Sequence, residues 1–176
     1  LMDDEGIIPE SLRETIANLR AAGKSIKLLY TIPNFQNPTG VTMSFARRAE
    51  VLEIARSNDI LVLEDNPYGL LHFGSPAPHA MRSLDDDGVV YLGTFSKTLA
   101  PGLRVGWALA PHGIREKLIL AAEAAILSPS VFNQLIISEY LTRTDWMVQI
   151  ETFRETYRVR KEAMISALGE YLPKLS

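Results

Sequence analysis

Residues 93–107 read GTFSKTLAPGLRVGW, and this segment places two cations, Lys97 and Arg104, between two apolar runs. The runs, VVYLGTF at 89–95 and VGWALA at 105–110, have the length and composition of strands. Two interpretations are open: a surface loop with two solvated charges, or the edge of a sheet that binds an anionic or electrophilic ligand. The flanking runs and the rest of the chain favour the second.

The same pattern upstream predicts an α/β fold. SIKLLYTI at 25–32 and ILVL at 60–63 are further apolar runs, and stretches of helical periodicity lie before the first run, between the first two and after the last. Ser44 is a candidate N-cap for the second helix. Strands that are apolar throughout and joined through helices indicate a mostly parallel sheet flanked by helices on both faces. The predicted helices span 9–22, 45–57, 112–126, 131–141 and 145–171.

The composition excludes several kinds of site and partner. The chain has no cysteine, which excludes disulfides, thiolate metal sites and a cysteine nucleophile. A net charge of −3 at pH 7 gives no general attraction to nucleic acid or to an anionic membrane, and no apolar run has the length of a membrane span. The adjacent carboxylates at 85–87 are predicted to form a solvated turn. We therefore expect a cytoplasmic protein with no metal, no membrane contact and no nucleic-acid partner for this segment.

Polar side chains follow the predicted strands at the edge where the carboxyl ends of parallel strands meet, which is where α/β sheets bind ligands. Burial at such an edge favours the neutral, nucleophilic form of an amine, which attacks carbonyls. A guanidinium with hydroxyl groups suits a phosphate, and a carboxylate suits a protonated ring nitrogen. An aldehyde, a phosphate and a pyridine nitrogen on one molecule describe pyridoxal 5'-phosphate. The candidate residues are Asn37, Asp65, Tyr68, Thr94, Ser96, Lys97 and Arg104.

Three motifs in order carry a family resemblance: NPTG at 37–40, D-x-x-Y within EDNPYG at 64–69, and SKTLAPGLRVGW at 96–107. Together they resemble the fold type I pyridoxal-phosphate enzymes, class I and II aminotransferases, and PNFQNPTG with EDNPYG is similar to the branch of 2-aminoadipate and aromatic aminotransferases. The resemblance implies the large-domain fold of that family, amino-group transfer between an amino acid and a 2-oxo acid in amino-acid metabolism or biosynthesis, and a homodimer.

The resemblance also implies a role for each candidate residue. Lys97 is the catalytic lysine, which binds the cofactor covalently and moves protons, and Asp65 pairs with the ring nitrogen. Asn37 and Tyr68 hydrogen-bond the ring's phenolic oxygen. The Asn37–Pro38 bond is expected to be cis. The phosphate is held by the remaining three residues, Thr94, Ser96 and Arg104.

The resemblance implies that residues 1–144 are part of a cofactor-binding large domain and that 145–176 form a long helix leading toward a small domain outside this sequence. A complete family member is more than twice as long, so we expect a truncated chain in which about four of seven strands are present. Two further functions of the same fold stay open: the effector domain of a transcription regulator, and a lyase.

Single residues also have simpler interpretations. Asp65 could simply cap a turn, Asn37 could be an ordinary turn residue, and Tyr68 could be a core tyrosine. Tyr30 is expected to pack in the core, as is Phe35, although Phe35 lies close to the candidate site in the sequence. The three histidines, His72, His79 and His112, have no evident partners, and no role is assigned to them.

Overall fold

The computed structural model describes residues 1–171, and its centre is a four-stranded sheet. The sheet consists of β3 (Leu28–Thr31), β4 (Leu61–Asp65), β5 (Val89–Thr94) and β6 (Gly106–Leu109), and it is preceded by a separate pair of short strands, β1 (Met2–Asp3) and β2 (Gly6–Ile7). The helices are α1 (Pro9–Ala21), α2 (Phe45–Arg56), α3 (His112–Ile126), α4 (Val131–Arg143) and α5 (Trp146–Tyr171). Residues 172–176, the end of the predicted 145–176 segment, lie outside the described residues.

The sheet has the order β3-β4-β5-β6, in which β3, β4 and β5 are parallel and β6 is antiparallel to β5. This confirms a mixed, mostly parallel sheet with helices packed against it. Strand β3 is shorter than the strand predicted at 25–32, because its pairing with β4 begins only at Leu28, opposite Leu61. The antiparallel last strand matters for the site, because it brings the start of β6 to the carboxyl end of β5.

The two faces of the sheet are unequally covered near β3. Side chains alternate along a strand, so Val62 and Glu64 share one face, and both are fully buried in the region where α1 and α2 pack. Leu28 and Tyr30 lie on the opposite face and are 49% and 50% exposed. Within the described residues, this edge of the sheet is therefore only partly covered on that face.

Helix α2 begins as the sequence predicts, because Ser44 Oγ accepts a hydrogen bond of 3.3 Å from the backbone N–H of Arg47. Its core-facing side carries Val51, Leu52 and Ala55, and also one arginine, Arg48, that is completely buried. A charged residue on the apolar face of a helix requires polar partners.

A short hairpin of β1 and β2 was not predicted. Its strands have two residues each, which is too short for a periodic pattern. The hairpin is held by Arg47 on α2, whose guanidinium donates hydrogen bonds to the carboxylates of Asp3 and Glu5 and to the backbone oxygen of Ile7. The side chain of Arg47 is only 14% exposed, so this ion-pair cluster is partly shielded from solvent.

Residues 85–88 form a turn, as predicted, in which the carboxylate of Asp85 accepts backbone N–H groups of Asp87 and Gly88. Across residues 1–171 the side chains of histidine, aspartate and glutamate form no cluster of three or more that could hold a metal ion. In the same part of the chain, no helix combines the length and the apolar character needed to cross a membrane.

Candidate functional site

Four of the seven predicted site residues line one open cavity of about 680 Å³ at the carboxyl edge of the sheet. Asn37 comes from the loop after β3, Tyr68 from the loop after β4, and Ser96 and Lys97 from the loop after β5. Aromatic side chains form much of the remaining wall: Phe35, Phe73, Phe153 and Tyr157. The parallel order of β3, β4 and β5 explains why residues up to 60 positions apart in sequence meet here.

The loop after β5 is a compact turn that starts from the end of the strand. The backbone N–H groups of Leu99 and Ala100 both donate to the oxygen of Phe95, and the N–H of Ser96 donates to Thr94 Oγ1 at 3.0 Å. Phe95 N–H also donates to Val105 O at 3.1 Å, which joins the turn to the start of β6. Local hydrogen bonds thus fix the backbone on both sides of Lys97.

Lys97 is exposed at the cavity, and its Nζ lies 5.9 Å from the centroid of the Tyr68 ring. The sequence argument for a nucleophilic amine depended on burial of this lysine. The described residues leave the side chain in contact with solvent, so that expectation is wrong for the chain as it stands. The ring of Tyr68 is the one cation–π partner of Lys97 in the described part of the chain, and the contact is a weak one because it lies near the outer limit for this interaction.

The other three predicted residues, Asp65, Thr94 and Arg104, do not line this cavity. Thr94 borders an adjoining depression of about 300 Å³ together with Asn34 and Asn66. Arg104 is exposed, and its Nη1 donates to the backbone oxygen of Pro101 at 3.4 Å. It adopts a left-handed backbone with φ of 54°, which is uncommon for a residue other than glycine.

The loop that carries Asn37 is braced internally. The Asn37–Pro38 peptide bond is cis, as predicted. Gln36 Oε1 accepts hydrogen bonds from the backbone N–H and the hydroxyl of Thr39, and Phe35 N–H donates to Thr42 Oγ1. Asn37 itself is exposed at the cavity, so its amide is free to contact a ligand while the rest of the loop is held by its own hydrogen bonds.

A buried polar network behind the cavity was missed from the sequence. Arg48 donates to the backbone oxygens of Met43, Pro33, Pro78 and His79, at 3.0, 3.1, 3.3 and 2.9 Å, and to Asn34 Oδ1 at 2.6 Å. Burial lowers the pKa of Arg48, and the charge of Glu64 opposes that effect. The signal in the sequence was helical spacing: Arg48 lies three, four and seven residues before Val51, Leu52 and Ala55, which puts it on the same apolar face of the helix.

The network continues from Arg48 to the loop after β4. The Asn34 amide nitrogen donates to Asn66 Oδ1 at 2.9 Å, and Asn66 lies between Asp65 and Tyr68 in sequence. The carboxylate of Glu64 accepts the backbone N–H groups of Met81 and Arg82, both at 3.0 Å. Desolvation raises the pKa of Glu64, and these N–H donors and Arg48 act in the opposite direction. One set of buried polar groups therefore connects the two loops that present Asn37 and Tyr68.

Tyr30 is not a packed core residue, which corrects the sequence-based expectation. Its side chain lies on the open face of β3, and its hydroxyl donates a hydrogen bond of 2.6 Å to Asp65 Oδ2. The carboxylate raises the pKa of the Tyr30 phenol to about 12, mainly through this hydrogen bond and also through desolvation. Phe35, by contrast, lines the cavity.

His72 and His112 do have partners, which also corrects the sequence-based expectation. His112 lies 3.6 Å from Glu116 one turn further along α3. His72 Nε2 lies 2.9 Å from the guanidinium of Arg154 on α5, whose Nε donates to Leu70 O at 2.8 Å. These contacts fasten α5 to the loop that follows Tyr68, which places Phe153 and Tyr157 of α5 in the cavity wall.

Comparison with known proteins assigns the family. Residues 2–173 match the family described as aminotransferase class I and II. The chain therefore belongs to the class I and II aminotransferases, and it has the mostly parallel sheet flanked by helices of fold type I pyridoxal-phosphate enzymes.

Individual relatives refine this assignment. The chain is 43% identical to aromatic-amino-acid aminotransferase 1 of Thermococcus litoralis over 98% of its own length and 42% of that protein. It superimposes on Pyrococcus horikoshii kynurenine aminotransferase, solved in complex with PMP, with a TM-score of 0.92 and 40% identity over 98% of this chain and 43% of that one. An uncharacterized HTH-type transcriptional regulator of Bacillus subtilis, YdfD, is 33% identical over 99% of this chain and 36% of its own. The chain thus spans less than half the length of these relatives.

Proposed function

We propose that this chain supplies the cofactor-binding part of a pyridoxal-phosphate-dependent aminotransferase that moves an amino group from an amino acid to a 2-oxo acid. The single observation that carries the proposal is the convergence of Lys97, Tyr68, Asn37 and Ser96 on one cavity. The family assignment and the complex of the Pyrococcus horikoshii relative with PMP support the choice of cofactor.

The donor set of the cavity and its surroundings fits pyridoxal phosphate. The molecule needs an amine for its aldehyde, donors for its phenolic oxygen, a carboxylate for its ring nitrogen and an anion site for its phosphate. The chain offers each of these: Lys97, the pair Asn37 and Tyr68, Asp65, and the group Thr94, Ser96 and Arg104. A cavity of about 680 Å³ is large enough for a small cofactor with part of a substrate.

Each of these residues has a defined task in the proposal. When bound, the cofactor supplies the electron sink of the reaction. Lys97 would anchor it covalently and would also move a proton at the substrate carbon. Tyr68 and Asn37 orient the cofactor through hydrogen bonds. The negative charge of Asp65 favours the protonated form of the ring nitrogen.

The phosphate group is the second anchor in the proposal. Ser96 lines the cavity. Thr94 contacts Ser96, because Thr94 Oγ1 accepts a hydrogen bond from the Ser96 N–H. Arg104 is exposed at the start of β6, next to this turn, and its single hydrogen bond in the described residues, to Pro101 O, is long and weak. Its guanidinium is therefore available to a phosphate, which it can bind through two N–H groups.

Titration with pyridoxal phosphate tests the proposal. The wild-type protein is expected to develop the visible absorption of lysine-bound cofactor, and reduction with borohydride is expected to fix the cofactor on the peptide that contains Lys97. Lys97→Ala removes both signals, whereas Lys117→Ala, on α3 away from the cavity, retains them. Absence of the signals from the wild-type protein, or labelling of another lysine in place of Lys97, contradicts the proposed role.

The regulator is the second candidate function, because YdfD matches almost the whole chain. Aminotransfer is preferred because the identity to the Thermococcus litoralis aminotransferase, 43%, is higher than the 33% to the regulator. Addition of an amino acid separates the candidates. An aminotransferase converts the bound aldehyde form of the cofactor into its amine form and releases a 2-oxo acid, whereas a sensor binds without turnover and a lyase releases ammonia or another fragment.

We further propose that residues 1–144 and residues 145–176 belong to different domains of the complete protein, that the protein is a cytoplasmic homodimer, and that it serves amino-acid metabolism or biosynthesis. Exposed apolar side chains on α3 and α4, including Ile119, Phe132 and Leu135, support association with further protein surface. Light scattering tests the dimer, and a mass equal to that of one chain at micromolar concentration contradicts it.

A further inference from the structure

The hydrogen bond between Tyr30 and Asp65 has a geometry that follows from the register of the sheet. Tyr30 pairs with Leu63 in the parallel ladder of β3 and β4, so Asp65, two residues further along, points to the same face. The phenol reaches diagonally across the ladder and donates to Asp65 Oδ2 at 2.6 Å, a distance typical of a charge-assisted bond between a hydroxyl and a carboxylate.

This bond fixes one of the two oxygens of the carboxylate. Among residues 1–171, the Tyr30 hydroxyl is the only group that donates a hydrogen bond to the Asp65 side chain. Oδ2 therefore has a partner, and Oδ1 has capacity to accept an N–H from a ligand. Asp65 is the last residue of β4, and the hydrogen bond from Tyr30 is the one that the described residues give its carboxylate, so this bond constrains the direction in which Oδ1 points.

From this juxtaposition we infer that Tyr30 is a positioning residue, which orients the Asp65 carboxylate toward the protonated ring nitrogen of the cofactor. The inference rests on the proposed function, because it requires that Asp65 faces that nitrogen. Tyr30 has no contact with the reacting atoms in this assignment and acts through Asp65 alone. The half-exposed position of its ring agrees with this role, because the side chain is not needed to fill the core.

The hydrogen bond itself is measurable without cofactor, by ultraviolet titration of the tyrosine phenols. Asp65→Asn removes the negative charge opposite Tyr30, so one more phenol is expected to ionise below about pH 11 than in the wild-type protein. Tyr30→Phe in the Asp65→Asn background removes that additional phenol. If Asp65→Asn does not change the count, the hydrogen bond is absent in solution and the inference is overturned.

Cofactor affinity tests the positioning role. Two ligands are compared, pyridoxamine phosphate and its analogue with a C–H in place of the ring nitrogen, because neither forms the bond to Lys97. Tyr30→Phe is expected to weaken binding of pyridoxamine phosphate about three- to tenfold, the loss of part of one charge-assisted hydrogen bond, and to leave the affinity for the analogue unchanged. Tyr140→Phe, on α4, is the matched control and is expected to change neither affinity.

The outcomes separate this inference from the proposed function. If Tyr30→Phe lowers the affinity for both ligands equally, Tyr30 has a general structural role and the inference is overturned. The inference is also overturned if neither affinity changes. If the wild-type protein binds neither ligand, the proposed function fails as well. In a variant that also carries Asp65→Asn, Tyr30→Phe is expected to have no further effect, because Tyr30 acts through that carboxylate.

Discussion

Arg48→Met is a substitution for which the structure predicts a large loss of stability. Arg48 is fully buried and donates to four backbone oxygens and one side-chain amide oxygen. Methionine fills most of the volume but has no donor, so these acceptors lose the guanidinium. Pro33 O keeps the backbone N–H of Met43 as a donor, and each buried acceptor that is left unsatisfied costs about 1–3 kcal/mol. The carboxylate of Glu64, also fully buried, loses its favourable interaction with the positive charge.

The expected loss is about 3–5 kcal/mol, because local rearrangement recovers part of the sum and because removal of one partner of a buried charged network has costs in this range. That is a large part of the total stability of an ordinary domain. With a slope of about 2 kcal/mol per molar urea, the midpoint of unfolding falls by roughly 2 M. Circular dichroism across a urea series, with constant slope as the criterion of two-state unfolding, measures this shift.

Arg56→Met is the matched control, because Arg56 lies on the same helix with a side chain 65% exposed and, among the described residues, forms an ion pair with Glu53 alone. Its expected effect is within about 0.5 kcal/mol. Arg48→Lys keeps the charge but loses the planar fork of donors, so we expect it to fall between the two. The reasoning is refuted if Arg48→Met unfolds within about 0.5 kcal/mol of the wild-type protein, or if Arg56→Met is equally destabilising.

Three further predictions concern other parts of the molecule. Arg104→Gln should weaken binding of pyridoxal phosphate about tenfold or more but leave that of pyridoxal, which has no phosphate, unchanged; equal losses for both would contradict a phosphate contact. Arg47→Met should release the β1–β2 hairpin, detected as faster amide hydrogen exchange at residues 2–7 with little change in α2, and unchanged protection there would contradict the anchoring role. Burial and the charge of Arg154 lower the pKa of His72 below its usual 6.5, so stability is fully present above about pH 6.5 and is lost as pH falls toward the folded-state pKa. His72→Gln, measured by thermal unfolding between about pH 5 and 7.5, should reduce this dependence, and an identical pH profile in the variant would contradict it.

The elements that the sequence predicted are those whose signals are local. Four apolar runs gave four strands, and Ser44 marked the start of α2, because burial and capping act through residues close in sequence. The gathering of Asn37, Tyr68 and Lys97 at one cavity was predictable as well, since parallel strands place their carboxyl ends at the same edge.

The contacts that the sequence did not predict depend on registers and on backbone atoms. The bond between Tyr30 and Asp65 requires knowledge of which residue of β3 pairs with which residue of β4. Most partners of Arg48 are carbonyl oxygens, which every residue has, so no residue type marks them. The exposure of Lys97 was missed for another reason: the sequence argument assumed that the sheet edge provides a low-dielectric environment, and the described residues leave the side chain in water.

The buried network gives a physical reason for a charged residue in the core behind the site. Asn34 accepts from Arg48 through Oδ1 and donates to Asn66 through its amide nitrogen, so the guanidinium fixes which way the Asn34 amide faces. Were that amide reversed, its oxygen would oppose Asn66 Oδ1 and its nitrogen would oppose the guanidinium, two contacts without a hydrogen bond. Arg48 therefore sets the relation between the loop that carries Asn37 and the loop that carries Tyr68, although it lies outside the cavity. An apolar residue in its place could fill the same volume, but it could not specify that relation.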